Sequence, residues 1–107
     1  MGEDSMIHAQ LISRNGENLQ TLIRSAIADG HIKSFETAKV AGGVRITHKK
    51  HPGAINLTKI AKGPLLATIT CTNPGREWQL LEALVGRLAY HFPTEVSAVN
   101  IQFVSEK

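Results

Sequence analysis

The sequence predicts an α+β fold in which two helices pack on one face of a mostly antiparallel sheet. Three observations carry this. Gly43, Gly53 and Gly63 stand ten residues apart, each closing a short turn, with β-branched and apolar runs between and after them. Glu17–Asp29 and the segment beyond Asn73 space their apolar residues at helical intervals. Met6–Ser13 and Val96–Val104 alternate apolar with polar side chains, as half-buried strands do.

In chain order, Met6–Ser13 sets Ile7, Ala9 and Leu11 against His8 and Gln10, and Arg14-Asn15-Gly16 then turns the chain. In the first helix, Leu19, Leu22, Ile23, Ala26 and Ile27 make one apolar stripe, and Gly30 is the natural stop. The stretch from His31 to Val40 fits neither period cleanly, so Ser34–Val40 reads either as a further strand or as a loop. Then come the turns Ala41-Gly42-Gly43, His51-Pro52-Gly53 and Ala61-Lys62-Gly63. Proline and glycine suit turn positions because one fixes φ and the other frees it. They separate the runs Val44–Lys50, Ala54–Ile60 and Leu65–Thr72 of an antiparallel meander.

In the last run Leu65, Ala67, Ile69 and Cys71 share one face, and Thr68, Thr70 and Thr72 the other. Asn73 can cap a second helix with Pro74 at its first position, and Pro93 stops it after about Phe92. Trp78, Leu81, Val85, Leu88, Ala89 and Phe92 form its main stripe. Leu80, Leu84 and Tyr90 widen the apolar surface, which calls for cover from the sheet and first helix or from a second subunit. In the final strand Val99, Ile101 and Phe103 point one way, and Ala98, Asn100 and Gln102 the other. The order β-α-β-meander-α-β resembles a ferredoxin-like variant with an extra strand. That resemblance is architectural and implies no activity.

At 107 residues, with 42% apolar and 20% charged residues, the chain suits one soluble domain, residues 6–107. Residues 1–5 are expected to form a frayed tail or an expression remnant, with Met6 as a second possible start. No apolar run is long enough for a membrane helix, and no signal-peptide pattern opens the chain. A single cysteine excludes an internal disulfide and a multi-thiolate metal site, so a cytoplasmic location is expected.

The formal net charge of +3 is unevenly spread. From Thr37 to Gly75 stand six bases and no acid, while the flanks hold six bases against all nine acids. Arg45, His48, Lys49, Lys50, His51, Lys59 and Lys62 are therefore the candidate binding surface, suited to an acidic partner or to phosphates. The same lysines also suit the protection of a strand edge. No aromatic lies between Phe35 and Trp78, so the meander offers no stacking platform for bases. His48 and His51 straddle a turn without Asp, Glu or Cys near them in sequence, so no metal or cofactor is expected.

Cys71-Thr72-Asn73-Pro74-Gly75-Arg76 is a strand-to-helix loop in which Asn73, Gly75 and Arg76 can hold an anion. It broadly resembles rhodanese-type and phosphatase-type loops. It has four rather than five residues between Cys71 and Arg76, and it sits outside the parallel sheet those families use. Strand alternation places Cys71 with Leu65, Ala67 and Ile69, in the core. The expected function is a non-enzymatic binding or regulatory module acting by protein–protein association, with a homodimer as one form. The alternatives are a nucleic-acid-binding protein using residues 45–62 and a small anion-binding or thiol-dependent enzyme at residues 71–76.

Overall fold

A computed structural model describes residues 5–60, 63–73 and 75–104. Its elements are β1 (Ser5–Ser13), α1 (Leu19–Ala28), β2 (Phe35–Val40), β3 (Gly43–His48), β4 (Ala54–Lys59), β5 (Leu65–Cys71), α2 (Glu77–His91) and β6 (Val96–Val104). The fold is α+β, with two helices and one open six-stranded sheet in the order β2-β3-β4-β5-β1-β6. Every neighbouring pair is antiparallel. The stretch that read two ways forms strand β2.

This strand order differs from the ferredoxin-like arrangement anticipated from the element order. The tight turns make β2 through β5 pair each with the next, so four strands fold back as one meander. β1 then inserts between β5 and β6, pairing Ile7 with Ile69 on one side and with Phe103 on the other.

Register puts one alternating set of side chains on the covered face. Ile7, Ala9 and Leu11 lie level with Ile69, Ala67 and Leu65, and Ile55 and Leu57 continue the rows. All eight are buried, and they form one core with Val44 and Ile46. Leu19, Ile23 and Ala26 of α1 close that core from above, with Leu80, Leu81, Leu84 and Leu88 of α2. The opposite face carries His8, Gln10, Asn56, Thr68, Thr70 and Gln102, by the same alternation.

The ends of α1 follow from local chemistry. It begins two residues later than its periodicity suggests, because Asn18 takes the cap position and its Oδ1 accepts the Thr21 N–H at 3.2 Å. At the other end the Gly30 N–H reaches the Ile27 carbonyl and the His31 N–H reaches Ala26, which closes the last turn.

The second helix departs further from expectation. Asn73 does not cap it, and Pro74 lies outside the described residues. The Arg76 N–H instead bonds the Asn73 carbonyl at 3.0 Å, with Gly75 at φ 87°, a left-handed turn residue that a continuing helix excludes. α2 therefore starts at Glu77, with no side-chain cap. Its inner face is also rotated from the expected stripe. Leu80 and Leu84 are buried, while Trp78 is 48% exposed. These two leucines are thus covered within the chain and are not free to meet a partner.

Candidate functional site

The basic residues of the meander do not share one surface. Arg45 alternates with buried Val44 and Ile46, so it stands on the open face of the sheet, where its Nε donates to Asn56 Oδ1 at 3.3 Å. Lys59 closes β4 at the end opposite the β3–β4 turn and borders a small recess with Glu17 and Asn18. Lys62 lies outside the described residues. The remaining group, His48 through His51, stays together as that turn, and there the chain builds a concavity.

One wall of this cleft is His48, Lys49 and Lys50. The second is the loop after α1, with His31, Lys33 and Ser34. These walls are tied where the Lys49 N–H donates to the Ser34 carbonyl at 2.9 Å. The third wall is one side of α2: Glu82, Ala83, Gly86, Arg87 and Tyr90. Spacings of three and four residues put these side chains on one helix face, and Ala83 and Gly86 leave room in front of the turn. The cleft has a volume of about 880 Å³ and, among the described residues, gathers four cations, Lys33, Lys49, Lys50 and Arg87, against one carboxylate, Glu82. Lys33 and Arg87 were not among the residues singled out from the sequence, and Tyr90 was singled out only as part of the widened apolar surface of α2. They lie far apart in the chain, and only the path of α2 past the turn brings them together.

His48 is the best-anchored ring in the site. Its Nδ1 accepts the N–H groups of Lys50 at 3.0 Å and His51 at 3.3 Å. Phe35 meets it edge-on, with ring centroids 4.9 Å apart, and His51 lies tilted against it at 4.4 Å. Burial pushes its pKa below the ordinary histidine value, and the positive fields of His51, Lys50 and Arg87 push the same way.

The neutral ring is thus the folded form, whereas an unfolded His48 protonates near pH 6.5. The unfolded chain then binds more protons, so this group's stabilisation is whole above about pH 6.5 and fades as pH falls through the lower folded value. The groups facing the ring are Lys49, Lys50 and His51 on the turn, His31 and Lys33 on the loop, and Glu82 and Arg87 on α2. His48→Asn keeps an acceptor for the turn amides and removes this titration. Its Tm should fall less than that of the wild type between pH 7.5 and 5.5; equal slopes would show that another group titrates.

At the start of α2, the Asn73 N–H points to Cys71 Sγ at 3.4 Å, and Arg76 Nε donates to Gln79 Oε1 at 2.7 Å. These donors, with the Arg76 N–H already in its turn, are engaged inside the protein. Cys71 is 3% exposed, on the core face of β5. Among the described residues no three His, Cys, Asp or Glu side chains group as metal ligands. No helix among them is long and apolar enough to cross a membrane.

A different surface stands at the sheet edge. Along β6, Val99, Ile101 and Phe103 lie level with the buried Leu11, Ala9 and Ile7 and so share their face. The helices reach only part of it: Ile101 is 41% exposed and Phe103 56%. Trp78 lies tilted over Phe103, with ring centroids 4.7 Å apart. An apolar groove continues beside β6 along Ala89, Phe92, Pro93 and Val96. Compared with known families, with curated proteins and with solved structures, this chain matches none.

Proposed function

We propose that this protein is a non-enzymatic binding or regulatory module that acts by protein–protein association, and that a second copy of the chain docks along β6. The observation that carries this is the difference between the two sheet edges. β2 bears Glu36 and Lys39, charges that discourage strand addition. β6 runs for nine residues, Val96–Val104, without a charge or a proline, and its backbone is open on the side away from β1.

A two-fold axis at Asn100 makes this strand its own partner. Val99 then opposes Ile101 on the apolar face, and Ala98 opposes Gln102 on the polar face. Such pairing extends the sheet across two chains and sets each Phe103, with Trp78 over it, opposite Ser97 of the second copy. An axis at this residue keeps every side chain on its native face, since antiparallel partners of equal parity point the same way. The cationic turn is left free in this arrangement, where it favours encounter with an acidic surface more than it adds affinity.

Light scattering on the full chain tests the reading. The expected mass is twice the 11.6 kDa of one chain. Ile101→Lys places like charges close to the axis and should weaken the dimer at least about 100-fold while leaving the fold intact. A monomeric wild type, or a dimer indifferent to Ile101→Lys, overturns the proposal.

A further inference from the structure

The cationic cleft offers two unlike groups on one rim, positive charge and an exposed aromatic ring. Lys49 and Lys50 come from the β3–β4 turn, Lys33 from the loop after α1, and Arg87 from α2. A solvated strand edge needs no such convergence from three segments. Tyr90 borders the same cleft and is 76% exposed. Among the described residues its close aromatic neighbour is His91, which meets it at 83° with centroids 4.8 Å apart, so the ring is braced without being covered. α2 thus supplies the stacking surface that the meander lacks.

We infer that this cleft binds a nucleotide unit, with the phosphate held by Lys49, Lys50 and Arg87 and the base stacked on Tyr90. Guanidinium and ammonium groups together suit a phosphate, the first by paired hydrogen bonds and the second as point charges. Stacking on a tyrosine is tolerant of base identity, because every base has a π-face. An acidic peptide would use the cations and leave Tyr90 idle. Glu82 lowers the positive potential without cancelling it. It stands eight residues before Tyr90, about 12 Å along the helix axis, and so does not confront a base stacked there. The open face of the sheet is a poorer candidate, for its residues are His8, Gln10, Thr68, Asn100 and their neighbours, with no phenylalanine, tyrosine or tryptophan among the described residues there. This inference is independent of the self-association reading, and Ile101→Lys should retain the binding.

A free nucleotide and a single strand carry the same chemistry, and one titration series separates them. The full chain is titrated with inorganic phosphate, with AMP and with a short single-stranded oligothymidylate, at low and high salt. If the source is a free nucleotide, AMP binds more tightly than phosphate. If it is a strand, the oligonucleotide binds and weakens steeply with salt, while AMP is bound much less well. In either case Tyr90→Ala should cost about tenfold in affinity. Lys49→Glu with Lys50→Glu should cost at least about 100-fold, and the strand's salt slope should fall by about 1.4.

Arg45→Glu and Lys59→Glu stand on other surfaces and should leave binding unchanged. Because a bound anion favours protonated His48, oligothymidylate affinity should also rise as pH is lowered through the histidine range; its diester phosphates do not titrate there. The inference is overturned if neither AMP nor the strand binds. It is equally overturned if phosphate matches AMP with no effect of Tyr90→Ala, or if Arg45→Glu and Lys59→Glu lose as much as the cleft variants. All the substituted side chains are solvent-facing, and unchanged thermal melting certifies that each variant is folded.

Discussion

Gly53→Ala should lower the melting temperature by about 15 °C, a loss of roughly 3 kcal/mol in a domain of this size. Two costs combine. The residue sits at φ 102°, a backbone conformation that side-chain-bearing residues rarely adopt and that costs about 1–3 kcal/mol to hold. An added Cβ would also stand 2.5 Å from the Thr70 carbonyl oxygen, 2.9 Å from Leu80 Cδ1 and 3.1 Å from Cys71 Cβ. Backbone on one side and core on the other leave it little room, and forced repacking of this kind costs about 1–3 kcal/mol more.

Gly42→Ala supplies the control. That residue has φ 85° and open space where its Cβ would go, so it should show the conformational cost alone, about 1 kcal/mol. Equal melting of the two variants would mean that the β3–β4 turn does not pack against β5 and α2. The cleft would then lose the wall that carries His48, Lys49 and Lys50.

The turns were the most legible part of the sequence because their chemistry is local. A glycine or proline constrains its own backbone, and runs between close turns have little choice but to pair with each other. The polar-apolar alternation of Ile7, Ala9 and Leu11, and of Leu65 to Cys71, likewise marked one face of the sheet correctly. Strand order across the sheet is not local: nothing in the residues of β1 says that it will pair with both β5 and β6. The basic surface suffered from the same limit. Arg45 and Lys59 are near His48 in sequence, yet alternation sends Arg45 through the sheet. Lys59 stands at the far end of a six-residue strand, about 17 Å from the turn. Arg87 was hidden for the opposite reason: it is distant in sequence from the turn it faces, and as an exposed residue of an amphipathic helix it looks ordinary. Tyr90 was legible as an apolar extension of α2 but not as a neighbour of that turn.

The rotation of α2 is the departure with the largest measurable consequence. More than half of this helix's circumference is apolar, so helical period alone does not choose between a stripe through Trp78 and Val85 and one through Leu80 and Leu84. The structure keeps Leu81, Leu88 and Phe92 of the expected stripe in the core but turns it toward Leu80 and Leu84: Leu80 is fully buried and Trp78 is half exposed. Sheet geometry accounts for the choice. Gly53 and Cys71 bring the turn and the end of β5 against Leu80, whereas Trp78 reaches outward over Phe103 at the edge strand.

Leu80→Ala should therefore cost about 2–5 kcal/mol, the range for a buried leucine whose cavity only partly collapses, and lower the melting temperature by at least about 10 °C. Trp78→Ala should cost only about 1 kcal/mol in a monomeric background such as Ile101→Lys, mostly from the lost ring contact with Phe103. In the wild-type background it should also weaken self-association, since the ring packs on Phe103 of the strand proposed to pair. The reverse order, with Trp78→Ala the more damaging in the monomer, would place the tryptophan in the core. It would turn α2 back to the stripe expected from sequence and remove both Arg87 and Tyr90 from the cleft.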